Sequence, residues 1–101
     1  MQAVLDAANS GDTEAFLACF SADGAVDDWG REFRGPDRIR AWSEAEFIGR
    51  QVSLAVQHVE QRADETVVTA RVGGNGFNGP SHFGFRLDGA GRLVAMMRIR
   101  A

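Results

Sequence analysis

Lysine is absent from this sequence: all 11 cationic side chains are arginine, scattered along the chain rather than clustered. With a net charge of −3, the chain lacks the basic patch that nucleic-acid binding requires. A single cysteine, Cys19, excludes an internal disulfide and a cysteine metal cluster. It lies between Phe16 and Phe20 in an apolar helical pattern and reads as a buried structural thiol. The two histidines, His58 and His82, lie far apart without metal-ligand spacing, so neither a metal nor another cofactor is expected. No apolar run approaches the roughly 18 residues that span a bilayer, which argues against a membrane partner. The start, "MQAVLDAANSGD", has neither the basic beginning nor the long apolar stretch of an export signal, and a cytoplasmic location is the expectation.

What is present suits a globular protein. The 101 residues, 45% hydrophobic and 25% charged, are expected to form one domain over residues 1–101. A chain of this length buries roughly two thirds of its unfolded surface.

The first half of the chain reads as helical. Val4, Leu5 and Ala8 suggest a short helix that ends at "NSGD". Asp12 is a good N-cap for a second helix, with Glu14 in the first turn and Phe16, Cys19 and Phe20 at helical spacing. "SADG" stops that helix, "AVDDW" is a short strand, and "REFRG" is a second beyond a turn at Gly30. Pro36 opens a third helix, which is expected to run to about Ile48 and close at Gly49.

Four extended runs follow, Val52 to Glu60, Glu65 to Val72, Ser81 to Leu87 and Arg92 to Arg100. The glycine-rich "GGNGFNGP" between two of them lacks the helix and the Gly-Lys-Ser/Thr ending of a phosphate loop, and reads as a loose hairpin. The fold class is therefore α+β: a cone-shaped roll of three N-terminal helices packed on a strongly curved, mainly antiparallel sheet. Phe16, Phe20, Ile39, Trp42, Phe83 and Phe85 are expected in the core.

Three places carry charge toward that core. Ile39, Trp42, Ala45, Glu46 and Gly49 share one face of the third helix, which aims Glu46 inward, unless the helix ends early and Glu46 reaches solvent. Asp27 and Asp28 are adjacent in a strand and must point to opposite faces. If Val26 packs inside, Asp28 goes with it. In the last strand, Val94, Met96, Arg98 and Arg100 alternate with Leu93, Ala95, Met97 and Ile99, and both sets are apolar near the middle. That excess suggests a homodimer built on the outer sheet face, with at least about 1,000 Å² buried in total. Arg71 and Arg98 are candidates to reach a buried carboxylate.

The segment "GDTEAFLACFSADGAVDDWGREFRGPDRIRAWSEAEF" resembles the nuclear transport factor 2-like superfamily, in its SnoaL-like and ketosteroid-isomerase-like branches. Its markers are the Gly-Asp opening helix two, "FSADGAV" leading into a strand, and the Gly-x-x-x-Ile step into helix three. "FRLDGAGRLVAMM" resembles the family's last hairpin. The resemblance implies that Asp28 matches the ketosteroid isomerases' proton-shuttling aspartate. It also implies two oxyanion donors that this chain lacks: a tyrosine near Val4, where there is none, and an aspartate at Phe83. His82 and Arg98 are the replacements to weigh.

The expected function is small-molecule binding in an apolar pocket lined by Trp42, Glu46, Arg71, Phe83, Phe85 and Met96. The alternatives are an isomerase- or cyclase-type enzyme, with Asp28 as general base on a carbonyl-containing apolar substrate and Arg98 as charge stabiliser, and a non-catalytic dimeric interaction module. Walls of Trp42 and Phe83 would partly desolvate the Asp28 carboxylate and favour its accepting a proton, and an arginine beside it would oppose this.

Overall fold

Short polar signals divide the first half of the chain into elements. The computed structural model describes residues 1–101. Helix α1 (Gln2–Ser10) ends where Gly11 turns left-handed at φ 71°. The Asp12 carboxylate then accepts the Ala15 N–H at 3.0 Å and starts α2 (Thr13–Ala18), with Glu14 in its first turn. Pro36 opens α3 (Pro36–Glu46) at the position where its missing N–H has no consequence.

Six strands follow in space the order β2-β1-β6-β5-β4-β3, within one curved open sheet. They are β1 (Phe20–Asp28), β2 (Arg31–Arg34), β3 (Ser53–Arg62), β4 (Glu65–Gly73), β5 (Gly79–Leu87) and β6 (Val94–Arg100). Only the β1–β6 pair is parallel; the other neighbours are antiparallel. Rows of partners across the sheet put Val26, Met97 and Phe85 on its inner side, and Asp28, Ile99, Phe83 and Val68 one row further along. The helices cover that side, and Phe16, Phe20, Ile39, Trp42, Phe83 and Phe85 are all buried. Cys19 is half-buried, with its thiol toward the Ala15 carbonyl.

Three differences from the sequence reading bear on the site. Strand β1 begins at Phe20, so "SADG" belongs to it, with an irregular step in its pairing to β6 between Phe20 and Ala25. Helix α3 stops at Glu46 rather than near Ile48, and a tight 3-10 turn follows over Ile48–Arg50. Gly49 lies inside that turn because a β-carbon there would collide with the Glu44 carbonyl, not because its φ is positive.

The third difference decides the last strand. Arg86 pairs with Met96 but Leu87 pairs with Val94, so Ala95 is an extra residue, a β-bulge. The bulge interrupts the alternation, and Val94, Met97 and Ile99 all enter the core while Met96 and Arg98 turn outward. Met96, though turned outward, is itself buried, so apolar side chains remain on both faces of this strand.

Candidate functional site

The hairpin between β1 and β2 positions the first acidic group. Its loop is only Trp29 and Gly30, both with positive φ, 55° and 89°, as a two-residue turn of this hand requires. The turn sets Arg31 directly opposite Asp28. Val26 is fully buried, and Asp28, two residues on, faces the same way.

Asp27 faces outward and does structural work. Its Oδ1 accepts the Gly30 N–H at 2.7 Å and its Oδ2 lies 3.0 Å from Arg100 Nη2. The Arg100 hydrogen bond holds the Asp27 carboxyl below the usual carboxylate range, against the opposing effect of desolvation. One aspartate thus closes the turn and the other meets the interior.

Asp28 Oδ2 accepts two hydrogen bonds, from Trp42 Nε1 at 3.1 Å and from Arg31 Nη2 at 2.6 Å. Arg31 also grips Glu46 with both terminal nitrogens, at 2.7 and 3.0 Å, and lies over the Phe33 ring. This hydrogen-bonded pairing lowers the pKa of Glu46 from its ordinary value, with desolvation acting in the other direction. Arg31 is half exposed, so its ion pairs are screened and contribute little to stability. Their effect is on position: Oδ2 is held, while Oδ1 of Asp28 has no partner within the protein.

Beside this carboxylate is a cavity of about 500 Å³, at the end of the sheet where β1 and β6 finish and β3 begins. That size falls within the range of small-molecule sites. Trp42, Phe47, Phe83 and Ile99 form its apolar wall. Trp42 is stacked between Phe33 and Phe47, with ring centroids 6.1 and 4.9 Å away, so the wall is stiff. The glycine-rich hairpin between β4 and β5 adds Phe77, and the β1–β2 turn adds Trp29, both more than half exposed at the mouth.

Of the residues expected to line a pocket, Asp28, Trp42, Glu46 and Phe83 do so. Glu46 is the last residue of α3 and remains substantially exposed, so the early-ending helix that places it at the mouth is the arrangement found. Phe85 is in the core but lies on the next row of the sheet, away from the cavity. Arg71, Arg98 and Met96 lie elsewhere. Arg71 is exposed on the outer face of β4, and Met96 was displaced by the Ala95 bulge. Arg98 is turned outward too, 3.9 Å from Asp27 and 3.6 Å from Glu65, and cannot steady charge beside Asp28. His82 is also on the outer side, sharing a hydrogen bond with Thr69.

The arginine that holds Asp28 is Arg31, while Arg50 lines the cavity itself. The sequence signal for Arg31 was the short "DWGR" turn, which makes an aspartate and an arginine cross-strand partners. The lining residues missed include Trp29, Phe47, Arg50, Phe77, Ser81 and Ile99.

The chain matches the SnoaL-like domain family over residues 1–100. It belongs to that family, within the nuclear transport factor 2-like superfamily. No curated protein matches this SnoaL-like domain. Among solved structures it is similar to a Sinorhizobium meliloti protein provisionally described as a polyketide cyclase, with TM-score 0.83 and 23% identity over 95% of this chain and 88% of that one. A computationally designed 17-OHP binder superposes with TM-score 0.82 at 18% identity, over 99% and 86% of the two chains. A ketosteroid isomerase-like protein of Catenulispora acidiphila, in complex with trimethylamine, gives TM-score 0.80 at 20% identity over 99% and 82%. Identities this low establish a shared fold and leave the chemistry to the residues of this chain.

The turn itself carries strain. A tryptophan at φ 55° occupies a position that asparagine or glycine adopts readily. Trp29→Asn creates an Asn-Gly turn of the favoured type and is expected to raise folding stability by about 1 kcal/mol. Urea denaturation at constant m-value measures this; a lowered midpoint would show that Trp29 packing outweighs the strain.

Proposed function

We propose that this SnoaL-like domain binds a small, mainly apolar molecule that carries one hydrogen-bond donor, received by Asp28. One observation carries the reading. The carboxylate is fixed from one side, through Oδ2, by Trp42 and Arg31, its Oδ1 has no partner in the protein, and Asp28 lines a cavity walled by Trp42, Phe47, Phe83 and Ile99. An ionised acceptor on an apolar wall selects hydroxyl and amine groups, because a charge-assisted hydrogen bond in such surroundings is stronger than a neutral one. The same fold in a designed 17-OHP binder supports its capacity for an apolar guest.

A second reading rests on the same free oxygen: Oδ1 accepts a proton from a carbon beside a ligand carbonyl, as the family match of Asp28 suggests. The Arg31 contact favours the binding reading, since one oxygen of the carboxylate is already engaged in an ion pair.

The test is calorimetric titration with 2-naphthol and with 2-methoxynaphthalene, which has the same rings and no donor. 2-Naphthol is expected to bind at least about ten-fold more tightly, and to shift the indole N–H resonance of Trp42. Equal affinities, or no saturable binding of either compound, would remove the basis for this function.

A further inference from the structure

We propose that Ser81 is a second polar contact for the ligand, donating its hydroxyl to an oxygen at the end of the molecule opposite the group held by Asp28. The inference rests on the binding reading above and narrows its ligand to a planar compound of about two fused rings. That compound carries a hydroxyl at one end and a carbonyl at the other.

Only two polar side chains are buried in this structure, Ser43 and Ser81. Ser43 is accounted for: its Oγ accepts the Ile48 N–H at 3.4 Å and helps to close α3. Ser81 is 3% exposed, lines the cavity, and its hydroxyl meets no donor or acceptor of the protein. No buried side-chain polar atom is both sealed and unpartnered, so the Ser81 hydroxyl is open to the cavity rather than enclosed among apolar atoms. A ligand oxygen that enters the cavity meets this hydroxyl directly and can accept from it in place of water.

The other polar groups of the lining are occupied or exposed. Arg50 donates through Nε to the Ala45 carbonyl, and Asn75 donates to Gln51 at the exposed rim. Ser81 therefore supplies the buried hydroxyl donor of the cavity.

Sheet register gives the spacing. Asp28, Ile99 and Phe83 form one row, so β1 and β5 are separated by a single strand. Ser81 lies two residues from Phe83 along β5, toward the turn end of β1. Two interstrand spacings and two residue rises set the α-carbons of Asp28 and Ser81 about 12 Å apart. Both side chains rise from the same face of the sheet, so a ligand lying across that face reaches both when its two oxygens are less than about 12 Å apart, as they are in a naphthalene substituted at its two ends. Ala70, the β4 partner of Ser81, is small and leaves the hydroxyl unobstructed on that side.

The test compares 6-acetyl-2-naphthol, which carries a carbonyl at the far end, with 6-ethyl-2-naphthol, which does not. Both are titrated calorimetrically against the wild type, Ser81→Ala and Asp28→Asn. Ser81→Ala is expected to weaken the acetyl compound by about five- to ten-fold and to leave the ethyl compound within two-fold. Asp28→Asn should weaken both. The urea midpoint of Ser81→Ala is expected to equal or exceed that of the wild type, since the hydroxyl holds no other group of the protein.

An equal effect on the two compounds, or no effect on either, overturns the role of Ser81 while the binding reading stands. A fall in the urea midpoint also overturns it, by showing a structural role. Failure of both compounds to bind the wild type overturns the binding reading and this inference with it.

Discussion

Trp42→Ala is expected to lower folding stability by about 3–5 kcal/mol, a large share of the 5–15 kcal/mol typical of a small domain. Trp42 is 3% exposed and sandwiched between Phe33 and Phe47, so its removal leaves a void that two rings on separate elements cannot close. Trp42→Phe keeps an aromatic ring in the stack but deletes the N–H that reaches Asp28 Oδ2 at 3.1 Å, and is expected to cost about 1–2 kcal/mol. Urea denaturation of the three proteins gives both numbers. A loss below about 1 kcal/mol for Trp42→Ala would mean that the stack is a surface feature. The same residue joins the core to the site, so binding of 2-naphthol should weaken in Trp42→Phe although the cavity wall is retained.

The elements were legible because each has a local cause. Asp12, Gly11 and Pro36 mark helix ends by hydrogen bonding, left-handed backbone and ring geometry, and the β-rich second half shows period-two alternation. Asp28 was legible for the same reason, since Val26 fixes the face of a strand. What alternation cannot reveal is where it breaks. The bulge at Ala95 moved Met96 and Arg98 to the outer side, and no residue in "LVAMMRI" marks it chemically.

Arg31 was hidden by the reverse effect. The pairing depends on a two-residue turn whose first position holds a tryptophan, a residue that turn chemistry disfavours there. Ser81 reads as an ordinary strand residue until the sheet register places it on the cavity row. Phe77 and Trp29 are loop residues, and the proximity of two loops at one end of a curved sheet is a tertiary fact.

Asp28→Asn is expected to weaken 2-naphthol binding by about 10- to 100-fold and to leave folding stability nearly unchanged. The amide retains one carbonyl oxygen, which the buried Trp42 N–H can still use, and Arg31 keeps its two hydrogen bonds to Glu46. Arg31, the partner in the ion pair removed, is half exposed and stays paired with Glu46, so the loss is small against folding. The ligand loses a charged acceptor and finds an NH₂ group in its place, so two donors now face each other. Deletion of a charge-assisted hydrogen bond is worth about 1.5–3 kcal/mol, which sets the range. Compounds with a carbonyl and no donor, such as 2-naphthaldehyde, should bind the variant at least as well as the wild type.

The same variant separates binding from proton transfer. If Oδ1 acts as a base, the wild type accelerates exchange of the C1 protons of 2-tetralone in D₂O and Asp28→Asn does not. On the binding reading, exchange at the buffer rate is expected with both proteins. Acceleration by the wild type alone would make Asp28 a catalytic base. Unchanged 2-naphthol affinity in Asp28→Asn would instead mean that the cavity holds its guest by its aromatic wall, with the carboxylate serving only to anchor Trp42 and Arg31.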